Sequence, residues 1–238
     1  MITDSNYNFL SPAGREFVVA AARFGAVSPS SRILILGCGG GAGAVVAARE
    51  FRCRVVAADT RLGLAEEARD LCERSGVSHL VTVDARNPFE AGYADDPFDL
   101  VIAEGGFLRP ATRKPFFDAI ARWLLPRAVV AFADIIYTTK QVPSSVSQMY
   151  GDSERQTLSE DAYRVLVRDA GVELQFICLS PPSNWDNFYG HIVKRTTDTA
   201  GYFGSDAIKA AMNNEINLFY RMDCLRYIGY LICICRRD

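Results

Sequence analysis

The chain is 238 residues long, 49% hydrophobic and 23% charged, with 26 basic and 28 acidic residues for a net charge of −2. That length buries a substantial core without disulfides or metals, and a near-balanced charge with no basic arm argues against phosphate-tracking nucleic acid binders and for a small-molecule partner. The seven cysteines, Cys38, Cys53, Cys72, Cys178, Cys224, Cys233 and Cys235, form no Cys-x-x-Cys pair and sit mostly in apolar runs, so they read as reduced thiols of a cytoplasmic protein with no metal site.

Residues 1–12 are polar and aromatic and predict a loop or short cap. Residues 13–25 (AGREFVVAAARFG) predict a helix stopped at Gly25, so 1–28 read as an amino-terminal cap. No basic-then-apolar leader is apparent, and no apolar run is long enough to cross a bilayer. Ile33–Leu36 (ILIL) is a short apolar run stopped by glycines, the pattern of a parallel strand buried on both faces. A helix over 42–51 and a second strand, Arg54–Ala58, follow, the strand ending at Asp59. A helix from Leu62 to Ser75 closes at Gly76. Leu80–Val83 predicts a third strand ending at Asp84, and Phe98–Ala103 a fourth ending at Glu104-Gly105-Gly106. A helix over 112–124 is broken at Pro126, and Ala128–Ala133 predicts a fifth strand ending at Asp134.

The second half changes character. Residues 135–158 are rich in Ser, Thr, Gln and Tyr, and 135–222 are expected to contain substrate-facing insertions. Ser159 predicts the N-cap of a helix to Ala170. Leu174–Leu179 is a sixth strand, 180–191 a loop or short helix dense in aromatics, Ser205–Met222 a helix and Leu225–Cys235 a last strand. The alternation predicts one α/β domain over 1–238, a doubly wound, mostly parallel sheet of Rossmann-like kind.

Ligands of such sheets bind at the carboxyl ends of the strands. Gly37, Gly39 and Gly41, with Cys38 between them, follow the first strand and open the next helix. Glycine permits the tight turn and close approach of a ligand, and the helix offers free N–H groups. The stretch also satisfies a dinucleotide fingerprint, and a turn without ligand is the bland alternative. Asp59, 18 residues after Gly41 with Thr60 beside it, predicts a carboxylate on both ribose hydroxyls of a nucleoside. Asp84 and Glu104 fall on the same edge, with a solvated loop carboxylate as the less favoured reading of each alone.

These stretches, ILILGCGGGAG, VVAADT, VTVDARN, PFDLVIAEGG and FFDAIARWLLP followed by AVVAFADI, resemble the class I S-adenosylmethionine-dependent methyltransferases over roughly residues 10–135. The ending RYIGYLICICRRD resembles that fold's last strand, and SPAGREF the lead-in of small-molecule members. The resemblance implies a seven-stranded sheet whose last strand is antiparallel and inserted between the fifth and sixth. It implies S-adenosyl-L-methionine as cofactor. Gly37, Gly39 and Gly41 would pass under its methionine and ribose part, Asp59 would hold the ribose, Asp84 and Ala85 would contact adenine, and Glu104 would line the methionine side. Two departures stand out. Ile35 replaces the acid often found two before the first loop glycine, which leaves the methionine amino group to another contact, such as the Glu104 segment. Arg127-Ala128 replaces a glycine pair in a distal turn. The NPPF-like tetrapeptide of amide and adenine amine methyltransferases is absent.

The implied activity is methyl transfer to a small-molecule acceptor by in-line displacement, which alignment and desolvation accelerate. Tyr137, Tyr150, Asn184 and Trp185 are candidate acceptor-binding residues, with Tyr189 lining the same pocket. His191 or Tyr189 is the candidate for proton removal. An aromatic packing plug with a surface histidine is the competing reading of 184–191. Tyr7, Asn8 and Phe9 are candidates for a lid. Three rivals stay open: a cyclase or lyase that releases methylthioadenosine from the same cofactor, a nucleotide-binding protein without catalysis, and a nicotinamide dehydrogenase. The last lacks a Tyr with Lys four residues on, since Gln141 stands four after Tyr137. A monomer or homodimer, free of membrane, is expected.

Overall fold

A computed structural model describes residues 8–104, 106–150, 156–197 and 205–238; Tyr7, one of the lid candidates, lies outside them. The first strand, β1 (Arg32–Leu36), shows why the sheet forms where it does. Ile33 and Ile35 enter the core on one face, Leu34 and Leu36 the core on the other, and all four are fully buried. Each such side chain contributes about 1.5–3 kcal/mol by leaving water.

Strands β2 (Arg54–Ala58), β3 (Val81–Asp84), β4 (Phe98–Ala103), β5 (Leu124–Tyr137), β7 (Val172–Leu179) and β8 (Ile228–Arg237) complete the sheet in the order β3-β2-β1-β4-β5-β8-β7. A two-residue β6 (Leu158–Ser159) adds to β5 off this path. The pairs among β1, β2, β3, β4 and β5 are parallel. Strand β8 runs antiparallel to both β5 and β7, as the resemblance implied. Helices α1 (Gly14–Phe24), α2 (Ala42–Phe51) and α3 (Leu62–Arg74) bury residues in the core on one face, α4 (Pro110–Trp123) and α6 (Glu160–Asp169) in the core on the other. Ser159 caps α6 by accepting from the Ala162 amide at 3.3 Å.

Three expectations needed correction. Strand β5 is longer than Ala128–Ala133: it begins directly after α4, passes Pro126 and runs to Tyr137. The register jumps from Phe98↔Leu124 to Leu100↔Val129, and a bulge of this kind accommodates a proline that has no N–H to give. The aromatic stretch after Ser180 is a full helix, α7 (Pro182–Thr197), not a loop or short helix. The last strand starts later than Leu225, because Cys224–Arg226 form a single 3-10 turn. Helix α5 (Ser144–Tyr150) lies in the stretch read as an insertion, and α8 (Asp206–Arg221) fills the place predicted for the last helix. Among the described residues no helix is long and apolar enough to cross a membrane.

Candidate active site

Strand register assembles the site. Leu36 pairs with Ala58 on one side and Ala103 on the other. The residues that follow, Gly37, Asp59 and Glu104, therefore leave the sheet together at its carboxyl edge. Gly37 has φ +74°, and a Cβ there would stand 2.2 Å from the Glu104 carbonyl oxygen. Gly41, at φ +87°, lets α3 approach so closely that a Cβ would meet Ala68 at 2.9 Å. Only glycine meets both demands. The Cys38 thiol is buried inside the loop, and burial together with the charge of Asp59 pushes its pKa up, out of the nucleophilic range.

Asp59 is 5% exposed and fully engaged. Oδ2 accepts from the Gly39 amide at 3.0 Å, Oδ1 from the Arg61 amide at 3.0 Å. The Arg61 guanidinium adds a fork, Nε to Oδ1 at 2.8 Å and Nη2 to Oδ2 at 2.6 Å. Burial alone would raise the Asp59 pKa, but the hydrogen bonds and charge of Arg61 hold it below the ordinary value. A cavity of about 300 Å³ opens here, lined by Gly37, Asp59, Thr60, Arg86, Asn87 and Phe107 among others.

Asp84 and Ala85 do not line that cavity. Asp84 is tied to the Arg86 amide and guanidinium at 2.8–3.2 Å and to the Tyr93 hydroxyl at 3.1 Å. Arg86 keeps its pKa down against the opposing effect of burial. It faces a separate cleft shared with Arg54, His79 and Tyr93.

Glu104 is the least ordinary group on the edge. It is buried, and its Oε2 has no hydrogen-bond partner among the described residues. Burial raises its pKa from the ordinary 4.5 to about 7, with a hydrogen bond from Ser11 pulling the other way. It lines a small recess with Gly37, Gly39, Gly43 and the segment Asn8–Leu10. Of the three lid candidates, Asn8 and Phe9 thus sit over the glycine loop. The segment is fastened there: Ser180 Oγ donates to the Pro12 carbonyl at 2.7 Å and Ser11 Oγ to the Tyr230 hydroxyl at 3.1 Å.

A second cavity, of about 270 Å³, lies between β5, α7 and α8. Helix α7 presents Trp185, Phe188 and Ile192 to it, at the i, i+3, i+7 spacing of one face. Asn184, Asn187 and His191 form the adjacent stripe and face a cleft with Phe9, Pro12 and Arg15 instead. So Trp185 joins the cavity, while Asn184 and His191 do not. His191 is partly buried, which lowers its pKa, with Lys194 adding to the effect. Tyr189, Tyr150 and Tyr137 do not line the cavity either. The Tyr189 ring packs on Phe219 at 4.7 Å, and its hydroxyl lies 3.0 Å from that of Tyr150 and donates to Glu215 Oε1 at 3.1 Å. Burial, then the charge of Glu215, pushes the Tyr189 pKa far above its ordinary value. A phenol so held is a proton donor to Glu215, which corrects its candidacy as the base.

Four residues escaped sequence reasoning. Arg61 stands two after Asp59, close enough in sequence to signal the fork. Asp134 and Arg113 meet in the second cavity at 3.3 Å, with the Tyr163 hydroxyl donating to the same carboxylate. Glu215 lines that cavity from α8. It continues the stripe of half-buried Ile208 and Met212 toward buried Phe219, and an acid at that spacing was a legible anomaly.

Residues 33–127 match a family described as a methyltransferase domain. A glycine/sarcosine/dimethylglycine N-methyltransferase of Actinopolyspora halophila is 25% identical over 184 residues, 76% of this chain and 33% of that protein. The methyltransferase GfsG of Streptomyces halstedii is 30% identical over 152 residues, 62% of this chain and 55% of that protein. The chain thus spans between a third and just over half of these curated relatives. The crystal structure of a SAM-dependent methyltransferase from Geobacter sulfurreducens in complex with S-adenosyl-L-homocysteine superposes with a TM-score of 0.75 at 16% identity, over 100% of this chain and 96% of that one.

Proposed function

We propose that this chain is a class I S-adenosylmethionine-dependent methyltransferase, which binds S-adenosylmethionine at the carboxyl edge of its sheet and methylates a small molecule held between β5, α7 and α8; the methyltransferase-domain match and the shared fold support this. The observation that carries this reading is the seam between the two cavities. Both are lined by Arg61, Gly106 and Arg109, so a nucleoside in one and an acceptor in the other would share a boundary.

The residues fit the cofactor. Among the described residues the Glu104 carboxylate is buried without a partner for Oε2 beside the glycine loop, and a buried unpaired acceptor costs about 1–3 kcal/mol or more. A ligand ammonium answers it, which supplies the contact that Ile35 does not. Asp59 would take the ribose hydroxyls once Arg61 yields, with Gly37, Cys38, Gly39 and Gly41 beneath and Thr60 at the cavity wall. Phe107 and Asn87, rather than Asp84 and Ala85, would flank the adenine. When bound, S-adenosylmethionine supplies a methyl group on a cationic sulfur. The chain's part is to align the acceptor and exclude water, and the apolar wall of Trp185, Phe188 and Ile192 serves both.

Incubation with S-adenosylmethionine and a panel of small acceptors, read by mass spectrometry, tests the reading. S-adenosylhomocysteine and a methylated acceptor are expected; methylthioadenosine identifies a cyclase or lyase instead. Asp59→Ala is expected to weaken calorimetric S-adenosylhomocysteine binding by about 30-fold or more, from the loss of hydrogen bonds to a charged acceptor. Unchanged affinity places the nucleoside elsewhere.

A further inference from the structure

We infer that Arg195 is a positioning residue that joins the wall of the acceptor cavity to the glycine loop, so that a bound cofactor fixes the cavity its methyl group must reach. The inference rests on the reading of the two cavities as cofactor and acceptor sites. Helix α7 walls the second cavity with Trp185, Phe188 and Ile192. Arg195 stands three residues beyond Ile192 and continues that stripe by one turn. Its Nη2 pairs with Oε2 of Glu67 on α3. The two side chains are 16% and 27% exposed, so salt screens the pair less than a fully solvated one.

The pair lies on the loop itself. A Cβ at Gly40 would stand 3.4 Å from Glu67 Oε2 and 3.7 Å from Arg195 Nη1. An apolar link runs beside it. A Cβ at Gly39 would stand 3.1 Å from Leu10 Cδ1, and Leu10 packs against the cluster of Leu64 and Ile192, both buried. Leu64 and Glu67 are one turn apart on α3, as Ile192 and Arg195 are on α7. The two helices therefore meet at two matched points, one apolar and one charged. The charged point bears directly on the loop.

The loop is also where the cofactor is assigned. Asp59 accepts from the Gly39 amide at 3.0 Å, and the same carboxylate is the one given to the ribose. A ligand that engages Asp59 and lies on Gly37, Gly39 and Gly41 holds the backbone against which Glu67 and Arg195 rest. In-line transfer needs the sulfur and the acceptor atom in register, and a misplacement of about 1 Å costs about a hundredfold. A link from loop to wall supplies that register. A ligand that orders the loop then lowers the cost of ordering α7.

Hydrogen exchange of the α7 amides, followed by mass spectrometry on the full chain with and without saturating S-adenosylhomocysteine, is the test. The readout is the ratio of the two rates. S-adenosylhomocysteine is expected to slow α7 exchange by about fivefold or more in the wild type, the low end of couplings between sites. Arg195→Ala and Glu67→Ala are each expected to bring the ratio to within about twofold of one. Arg195→Lys keeps the charge and is expected to keep most of the ratio. A pair that only stabilises the fold would speed exchange equally in both states and leave the ratio unchanged. That result overturns the inference, as does a wild-type ratio near one or a loss in only one of the two alanine variants. The wild-type ratio decides alone if those variants do not fold. Protection of the glycine loop without protection of α7 sinks this inference only, whereas no S-adenosylhomocysteine binding by calorimetry sinks the cofactor reading.

Discussion

Arg61→Ala is expected to tighten the binding of S-adenosylhomocysteine. The Arg61 fork occupies both Asp59 oxygens, at 2.8 and 2.6 Å, and these are the atoms assigned above to ribose hydroxyls. A nucleoside must displace the fork before it reaches the carboxylate. Hydrogen bonds to a charged group contribute about 1.5–3 kcal/mol. The Arg61 side chain is 36% exposed against 3% for Asp59, so solvent screening reduces the competing interaction to about 1–2 kcal/mol. At about 1.4 kcal/mol for each factor of ten, the variant gains about 5- to 30-fold in affinity. The amides of Gly39 and of residue 61 still hold the carboxylate in place at 3.0 Å each. Calorimetric titration at low and high salt is the assay, and salt narrows the gap between wild type and variant because it screens the ion pair. Unchanged or weaker binding by a variant with a wild-type circular dichroism spectrum refutes the competition, and makes Arg61 a ligand contact.

Gly37→Ala forces a Cβ to within 2.2 Å of the Glu104 carbonyl at φ +74°; a loss of about 3 kcal/mol in denaturant unfolding, or about 6–12 °C in Tm, is expected. The raised pKa of Glu104 means that the folded state binds its proton more tightly than the unfolded chain does. Stability from this group is therefore full below 4.5 and lost as pH rises to about 7, an effect of about 3 kcal/mol at 1.36 kcal/mol per pH unit. Glu104→Gln should abolish that loss in pH-dependent unfolding while weakening S-adenosylhomocysteine binding. Wild-type affinity for S-adenosylhomocysteine should fall by up to about tenfold for each pH unit below about 7, as the carboxylate takes up its proton. His191→Ala is expected to leave turnover within about twofold, since its face of α7 turns away from the acceptor cavity; a hundredfold loss returns it to the chemistry.

The sheet was legible because its signal is local. ILIL and FDLVIA are short apolar runs bounded by glycine or acid, and their shortness and flanks favour a strand buried on both faces over a buried helix. The glycine loop, Asp59 and Glu104 followed, because strand ends in a parallel sheet must share an edge. Proline misled at β5: Pro126 reads as a break, and only the partner strand decides that a bulge absorbs it. The side-chain roles on α7 were lost to a phase error. Asn184 and Trp185 are neighbours in sequence but about 100° apart on a helix, so treating 184–191 as a loop put both stripes in one pocket. Asp84 was placed by analogy on the adenine, and Arg86, two residues on, turns it elsewhere. Arg61, two after Asp59, and Glu215, an acid in an apolar stripe, were open to the same local reasoning, whereas the meeting of Arg113 with Asp134, 21 residues apart, depends on a contact that spacing alone does not resolve.

The place of β8 in the sheet also governs how the protein can be made. Val129 pairs with Arg236 and Tyr137 with Ile228, so β5 has no neighbour on that side until nearly all of the described chain has left the ribosome. The hundred residues from Tyr137 to Arg237 take about 5–20 s to synthesise. During that interval a long apolar strand waits with its edge open, the condition under which nascent chains pair with one another or with a chaperone. Removing the last ten described residues would separate β7 from β5 rather than trim an end, so a premature stop there should yield aggregate and not a weakened enzyme.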